Sequence, residues 1–473
     1  MKRKIAIMLC LAMLGAALAG GCSSKKETDV SGTEQTGQKG ATAGASSGGT
    51  IEVEFWSAPN QNQFDFWSKK AEEFNAAGIQ YDNKTVQVEV QMTPESTSSE
   101  AAIQNAIATG TIPAASENIS LSFAAVLADS GVVYDIDQEE FYRDIISNRV
   151  MSEAAARWEI GGKQYVIPVY INPVSLQWNV KALKALGFVN PPKTMDEYKA
   201  VIQAFVDNPD TMKEMGVDYM VSTDRFLNES GYQCGYDFQM MYSTYTNGES
   251  WIDGNTLTVD REAAINTFEF WGLLGNTVNV AKIEGAWTQD NIPVLMDIGK
   301  PWDAISYMEA GKVYGEDFVF GPVPVQSSDD QAYCYADTKG ITFYKASNVT
   351  EEQHQGAVAF ISWVYSAKNS SNTDLEWLNS TSMLPVRGDL LENATFTETF
   401  DNSAELSYLA ANINYAVPLP AHLKADDIEV ALRVEGFIPY MAEAVKNKPL
   451  NPLDASSYVD NAISAMKEAG GLE

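Results

Sequence analysis

The chain has 473 residues, of which 45% are hydrophobic and 11% aromatic, so it is long enough for two packed lobes and too apolar to be mainly disordered. Its 63 acidic and 32 basic residues give a formal net charge of −31, and such an acidic surface repels nucleic-acid phosphates and anionic headgroups. Because only two histidines are present, a histidine-rich metal site is excluded. We expect no metal, no cofactor and no nucleic-acid partner.

The N-terminus has the features of an export leader. Three basic residues at 2–4 precede an apolar run over 5–18 that is too short for a comfortable membrane span. The run ends in Leu18-Ala19-Gly20-Gly21-Cys22, and small residues before a cysteine resemble the bacterial lipobox, where the thiol is acylated and the leader is cut in front of it. We therefore predict a lipoprotein leader over 1–21 and a lipid on Cys22. The alternative is ordinary cleavage near Ala19 or Gly20 without a lipid.

A polar segment over 22–49 follows the leader. It is rich in Ser, Gly and Thr and cannot bury apolar surface, so we expect a disordered tether with a reach on the order of 30 Å. No later stretch has 18 uncharged apolar residues in a row. These features predict a folded part held at the extracytoplasmic face of a bacterial membrane by its lipid. An exported chain permits a disulfide between Cys234 and Cys334, and two buried free thiols are the alternative.

The folded part begins with a strand–helix–strand pattern. Residues 51–57 alternate as a strand does, and a helix with Phe64, Trp67, Ala71 and Phe74 on one face comes next. A second alternating strand over 85–92 completes a βαβ unit, which implies a parallel sheet covered by helices. Further along we expect a helix over 100–108, and a strand or helix start over 119–123.

The later elements continue this alternation of strands and helices. Residues 157–170 have the pattern of a hairpin around Gly161-Gly162, and Thr194 with Glu197 forms a capping box that opens a helix. Helical periodicity returns over 357–364, and a last helix is predicted over 455–469. The fold class is therefore α/β.

Several stretches resemble one family in its own order along the chain. The longest is Tyr165–Phe205, and the others are Ala108–Pro113, Asp297–Trp302 and Met383–Arg387. Together with the N-terminal strand, loop and helix, they are similar to the extracytoplasmic solute-binding proteins of bacterial ABC importers. Within that family they resemble the large sugar-binding group that includes maltose-binding protein.

The resemblance implies a two-lobed periplasmic-binding-protein-like fold of type II, with hinge-joined lobes and a ligand cleft between them. Lobe one then comprises 50–171 and 340–386, and lobe two comprises 172–339 and 387–473. The hinge crossings fall near 171–174, 334–339 and 387–388.

A sugar presents apolar C–H faces and a rim of hydroxyls, so a protein holds it with aromatic rings and planar amides or carboxylates. The candidates are aromatic or polar residues after predicted strands, beside the first crossing, or in the stretch that matches the family's stacking tryptophan. They are Trp56, Asn60, Gln61, Asn118, Ser120, Tyr170, Asn172, Tyr232, Trp287 and Trp302. A tryptophan in the core, a helix cap or a hinge hydrogen bond is the alternative at these positions.

The resemblance implies binding and not catalysis. We expect a neutral carbohydrate, an oligosaccharide, to close the lobes and to be delivered by a monomeric protein to the permease subunits of an ABC importer. No basic cluster accompanies the aromatic candidates, which favours a neutral ligand over an anionic one. The alternatives are a glycerol ester, polyol or peptide bound by the same fold, and a secreted glycoside hydrolase, for which no catalytic motif is found.

Overall fold

A computed structural model describes residues 49–223, 225–228, 234–281 and 293–473. The predicted leader, Cys22, the tether, Tyr232 and Trp287 lie outside the described residues. Within the described ranges, no helix combines the length and the apolar character that crossing a bilayer requires.

The strands are short except for β1, β3, β5 and β12. Their bounds are β1 Thr50–Ser57, β2 Gln80–Tyr81, β3 Lys84–Met92, β4 Ala115–Ile119, β5 Ile167–Asn179, β6 Val221–Ser222, β7 Ile252–Asp253, β8 Thr256–Leu257, β9 Val278–Asn279, β10 Met296–Gly299, β11 Phe318–Gly321, β12 Cys334–Phe343 and β13 Ala416–Val417.

The α-helices are α1 Gln61–Ala77, α2 Ser99–Thr109, α3 Leu121–Asp129, α4 Glu140–Asn148, α5 Ser152–Ala156, α6 Val180–Ala185, α7 Met195–Asp207, α8 Pro209–Glu214, α9 Cys234–Tyr245, α10 Arg261–Gly272, α11 Pro301–Glu309, α12 Glu351–Val364, α13 Ser370–Thr381, α14 Thr397–Asn402, α15 Ala404–Ala411, α16 Ala425–Leu432, α17 Ile438–Ala444 and α18 Ser456–Gly470. Short 3-10 turns occur at Gly275–Thr277 and Ile413–Tyr415, and a π-helical turn at Arg433–Phe437 joins α16 to α17.

The N-terminal βαβ unit is present as the alternation predicts. β1 pairs in parallel with β3 on one side and with β4 on the other, so the chain leaves all three strands at the same edge of the sheet. Helix α1 packs against this unit through Trp67 and Phe74, which are fully buried. The capping box of Thr194 and Glu197 also forms and begins α7.

Two long antiparallel strands, β5 and β12, run through the middle of the sheet. The first part of β5, with Ile167 and Val169, belongs to the same hydrophobic cluster as β1 and α1. Its second part, with Leu176 and Trp178, belongs to a separate cluster formed with α7, α9, α10 and α18. The strand therefore passes from one core to another, in the region where the first crossing is predicted. The lobe boundaries themselves stay predictions.

A buried ion network lies beside the third predicted crossing. Asp374 on α13 accepts hydrogen bonds from Arg149 at 3.0 and 2.8 Å and from Arg387 at 3.1 Å. The guanidinium of Arg149 also donates to the carbonyl oxygens of Pro168 and Val169 at the start of β5. Since all three charged side chains are almost fully buried, each depends on its partners for solvation.

Candidate functional site

The edge of the sheet where β1, β3 and β4 end carries polar loops. Ser98 follows β3 and caps α2, and Ser120 follows β4 and caps α3. Between them in space lies the loop that follows β1, because β1 is the strand between β3 and β4. In open α/β sheets the carboxyl ends of the strands are where ligands bind.

A cleft of about 610 Å³ opens at this edge. One wall is formed by the loops after β3 and β4, with Ser98, Glu100 and Ser120. The opposite wall comes from α9, α16 and the π-helical turn, and β12 lies between the two walls. By the predicted boundaries, the two walls belong to different lobes, and a ligand here contacts both.

The floor of the cleft is formed by β12, of which five consecutive residues, 335–339, line the cavity. Among them Tyr335, Asp337 and Lys339 share one face of the strand, since successive side chains of a strand point to opposite faces. In the antiparallel register Asp337 lies opposite Asn172 of β5, and Lys339 lies opposite Tyr170. Burial raises the pKa of Asp337, and the nearby Lys339 opposes that rise.

Asn172 is a fully buried amide behind the floor of the cleft. Its Oδ1 accepts a hydrogen bond from the backbone N–H of Leu384 at 3.2 Å. Its side chain also hydrogen-bonds the facing carboxyl group of Asp337, which opposes the rise in the pKa of that group.

A stacked tyrosine pair joins the floor to the far wall. The rings of Tyr236 on α9 and Tyr335 on β12 lie 4.3 Å apart, with an angle of 14° between their planes. Burial raises the pKa of Tyr335 far above its ordinary value, and the neighbouring Tyr236 adds to the rise. The pair offers an aromatic surface together with hydroxyl groups.

An arginine and a glutamate complete the far wall. Nε and Nη2 of Arg433 each donate to a carboxylate oxygen of Glu429 at 3.1 Å, and the two side chains are 5% and 11% exposed, respectively. Gly235 approaches so closely that an added Cβ would lie 2.8 Å from the Glu429 side chain. The backbone conformation at the start of α9 and the ion pair thus fix each other's position.

The charges of the cleft have both signs. Arg433 is paired with Glu429, and Lys339 lies in the field of both Asp337 and Glu117. Because each cation stands beside a carboxylate, the described residues that line the cleft include no uncompensated positive group for a phosphate to bind.

A second cavity, of about 680 Å³, lies between the segment 157–165 and the β7–β8 hairpin. It shares Leu121 and Pro418 with the cleft. Its lining includes no described residue of β12 or of the loop after β3, so we place the candidate site in the cleft.

The structure brings few of the predicted ligand residues to this cleft. Ser120 lines it, and Asn172 lies behind its floor, opposite Asp337. Tyr170 is buried and stacks on Trp377 with ring centroids 5.8 Å apart. Trp56 is 5% exposed and packs in a hydrophobic cluster that includes Ile103 and Leu121, and its contact with a ligand stays a prediction.

The remaining lobe-one candidates have local partners. Asn60 is exposed and caps α1 through the N–H of Gln63, and exposed Gln61 donates to Asp65 at 2.6 Å. Asn118 is half-buried, adopts a left-handed backbone with φ of 70°, and donates to Ser99. Asparagine tolerates this conformation, which turns the chain from β4 towards α3. Their contacts with a ligand stay predictions.

Three lobe-two candidates lie outside the described part of the structure. Tyr232 and Trp287 do so entirely, and Trp302, the second residue of α11, does so with its side chain. Their roles also stay predictions.

Sequence reasoning missed the residues of the far wall. Tyr236, Glu429 and Arg433 lie in helical patterns that look like ordinary structural positions, and nothing local marks them as cleft residues. Asp337 and Lys339 had a signal, because they belong to a run of polar residues, 337–339, at a predicted crossing.

The comparisons with known proteins identify the family and the fold. A family model described as bacterial extracellular solute-binding protein matches residues 69–404. A search of curated proteins finds no match. Among solved structures, the uncharacterized protein lmo0859 from Listeria monocytogenes EGD-e is 29% identical, with a TM-score of 0.76 over 89% of this chain and 98% of that chain.

Two less similar structures show the fold. The cyclic α-maltosyl-1,6-maltose binding protein from Arthrobacter globiformis is 18% identical, with a TM-score of 0.69 over 89% of this chain and 99% of that one. The sugar-binding protein MalE from Xanthomonas citri is 13% identical, with a TM-score of 0.69 over 89% and 98%. The predicted α/β, two-lobed periplasmic-binding-protein-like class is confirmed.

Proposed function

The chain belongs to the bacterial extracellular solute-binding proteins, and from that membership we propose that it captures a neutral carbohydrate, an oligosaccharide, in the cleft above β12. Closure of the lobes around the sugar, and not a chemical step, is the proposed mechanism. The relatives whose names specify maltose-type sugars support the carbohydrate class.

The observation that carries this proposal is the composition of the cleft. It combines the stacked rings of Tyr236 and Tyr335 with Asp337, Lys339 and Ser120. Aromatic faces suit the C–H surfaces of a sugar, while carboxylate, ammonium and hydroxyl groups suit its hydroxyl rim. The positive charges of Arg433 and Lys339 are balanced by neighbouring carboxylates, which supports a neutral ligand over an anionic one.

Closure requires a ligand that contacts both walls. Moving a population from 1:99 to 99:1 in favour of the closed form takes roughly 5.5 kcal/mol of differential binding. Several hydrogen bonds to charged groups, at about 1.5–3 kcal/mol each, together with a stacked ring supply a free energy of that size. The walls of this cleft come from segments assigned to different lobes, as such a mechanism needs.

We also propose that the protein is a monomer held at the extracytoplasmic face of the cell membrane by a lipid on Cys22, and that it delivers its sugar to the permease of an ABC importer. The leader-like residues 1–21 and the polar segment 22–49 support the anchor. Labelling of the wild type, but not of Cys22→Ala, by a radioactive fatty acid would test it. Equal labelling of both would contradict it.

Tryptophan fluorescence titration of the purified protein with maltose, maltotriose, a β-linked oligosaccharide, glycerol phosphodiester and a tripeptide tests the ligand class. The proposal predicts a saturable response to a neutral carbohydrate alone. A response only to the glycerol ester or the peptide would contradict the carbohydrate assignment and favour a binding protein for a non-sugar solute. Release of reducing sugar from maltotriose would contradict the assignment of a binding function without catalysis.

A further inference from the structure

Glu117 is a fully buried carboxylate in the middle of β4, the strand whose following loop lines the cleft with Ser120. One oxygen accepts the backbone N–H of Ala58 at 2.8 Å, and the other accepts the side-chain amide of Gln63. Ala58 belongs to the loop after β1, and Gln63 lies in the first turn of α1. The carboxylate therefore ties the loop and the helix that follows it to a different strand.

The same loop is held from its other side. Thr93, directly after β3, donates to the carbonyl oxygen of Ser57 through its backbone N–H at 2.9 Å and through its hydroxyl at 2.7 Å. The loop after β1 is thus fixed between the ends of the two strands whose own loops, with Ser98 and Ser120, line the cleft. Its position is set by hydrogen bonds and not by packing alone.

Burying a carboxylate at this point has a cost. Desolvation raises the pKa of Glu117 to about 7, and the hydrogen bonds from Ala58 and Gln63, with the charge of Lys339, oppose the rise. Two other titratable groups interact electrostatically with Glu117, namely Tyr170 on β5 and Tyr365 after α12. A third, Asp337 on β12, interacts with the neighbouring Lys339. A leucine or glutamine would fill the space without that cost, so a role at the site explains a carboxylate better than packing does.

We propose that Glu117 is a positioning residue of the ligand cleft: its carboxylate fixes the loop after β1, which lies between the loops that carry Ser98 and Ser120. The inference rests on the proposed function, since it assigns this role relative to the sugar cleft. Glu117 itself, having no exposed surface, makes no contact with the ligand.

Hydrogen–deuterium exchange of the loop peptide covering 57–60, measured without ligand, tests the proposal independently of any sugar. In Glu117→Ala we expect the protection of this peptide to fall about tenfold, because the Ala58 amide loses its acceptor. Glu117→Gln keeps an acceptor oxygen and should retain protection within about threefold. Val364→Ala, which truncates a fully buried residue of α12 in the same lobe, is the matched control and should leave the peptide unchanged.

The second readout is the affinity for maltotriose at pH 7. Glu117→Ala should weaken it about tenfold, and Val364→Ala should not. Unchanged protection in Glu117→Ala, or an equal loss in Val364→Ala, would overturn the positioning role. A further outcome is that neither wild type nor variants bind maltotriose while the exchange result is as expected. That outcome would contradict the choice of sugar and would leave the control of the loop by Glu117 supported.

Discussion

Asp337 on β12 lies directly opposite Asn172 on β5, at the point where both strands pass from one hydrophobic core to the other. The pair puts a half-buried carboxylate and a buried amide that hydrogen-bonds it into the stretch where the predicted crossings fall. By the predicted boundaries, a ligand that bonds here contacts the strands that join the two lobes. This relationship is the basis of the first prediction.

Asp337→Asn should weaken the binding of a neutral sugar at least tenfold, because a hydrogen bond to a charged acceptor contributes about 1.5–3 kcal/mol. Thermal stability should not fall, since the change removes a desolvated carboxyl group. Calorimetric titration measures the affinity, and differential scanning calorimetry measures the stability. Asp426→Asn, an exposed residue at the rim of the same cleft, changes the charge equally and is the control. Equal losses in both variants would indicate a general charge effect.

Tyr236→Ala should weaken sugar binding about tenfold, because it removes one ring of the stacked pair at 4.3 Å from Tyr335. Tyr236→Phe keeps the ring and should lose no more than about threefold, the contribution of the hydroxyl. Fluorescence titration of both variants checks the order. A Phe variant as weak as the Ala variant would show that the hydroxyl, and not the aromatic face, matters.

Asp374→Asn should lower the free energy of unfolding by about 3 kcal/mol, because it leaves the buried guanidinium groups of Arg149 and Arg387 without their shared counter-ion. Urea denaturation followed by circular dichroism measures the change. Asp460→Asn breaks the exposed pair with Arg261 and should cost under about 1 kcal/mol. Similar costs in the two variants would contradict the importance given to burial.

The pH dependence of stability should report Glu117. Its pKa is about 7 in the folded protein and 4.5 ordinarily, so unfolding releases a proton between these values. The contribution of this group to the unfolding free energy therefore decreases as the pH rises from about 4.5 to 7 and is constant above that. Asp237, whose pKa burial raises to about 6, acts in the same direction.

In Glu117→Gln this dependence should become shallower. The difference in unfolding free energy between variant and wild type should change in favour of the variant by on the order of 3 kcal/mol when the pH is raised from 4 to 8. Urea denaturation at both pH values gives the two differences. Parallel pH profiles for wild type and variant would contradict the raised pKa.

Local patterns predicted the elements well. The alternation in 51–57 and 85–92, with the helical face of Phe64 and Trp67 between, determines a βαβ unit, and Thr194 with Glu197 marks a helix start. These features depend on neighbours in sequence. The alternation of strands and helices indicated the α/β class, and the ordered resemblance over Tyr165–Phe205 and the other stretches implied the two-lobed fold.

The site was harder to predict, for a physical reason. When helices cover both faces of a sheet, the side chains on both faces of a strand are buried. The position of Trp56 near the end of β1 therefore did not reveal whether its ring faces the covering helices or the cleft. The far wall combines Tyr236, Glu429 and Arg433 from distant segments, and the π-helical turn that begins at Arg433 has no signature in local periodicity.

The central claim is that a neutral carbohydrate binds in the cleft whose floor is formed by residues 335–339 of β12. Isothermal titration calorimetry of wild type and Asp337→Asn with a panel of neutral oligosaccharides tests it most directly. We predict saturable heat at a ratio of one sugar to one protein for at least one member, with the affinity at least tenfold lower in the variant. No heat with any neutral sugar, or the same affinity in both proteins, would contradict the account.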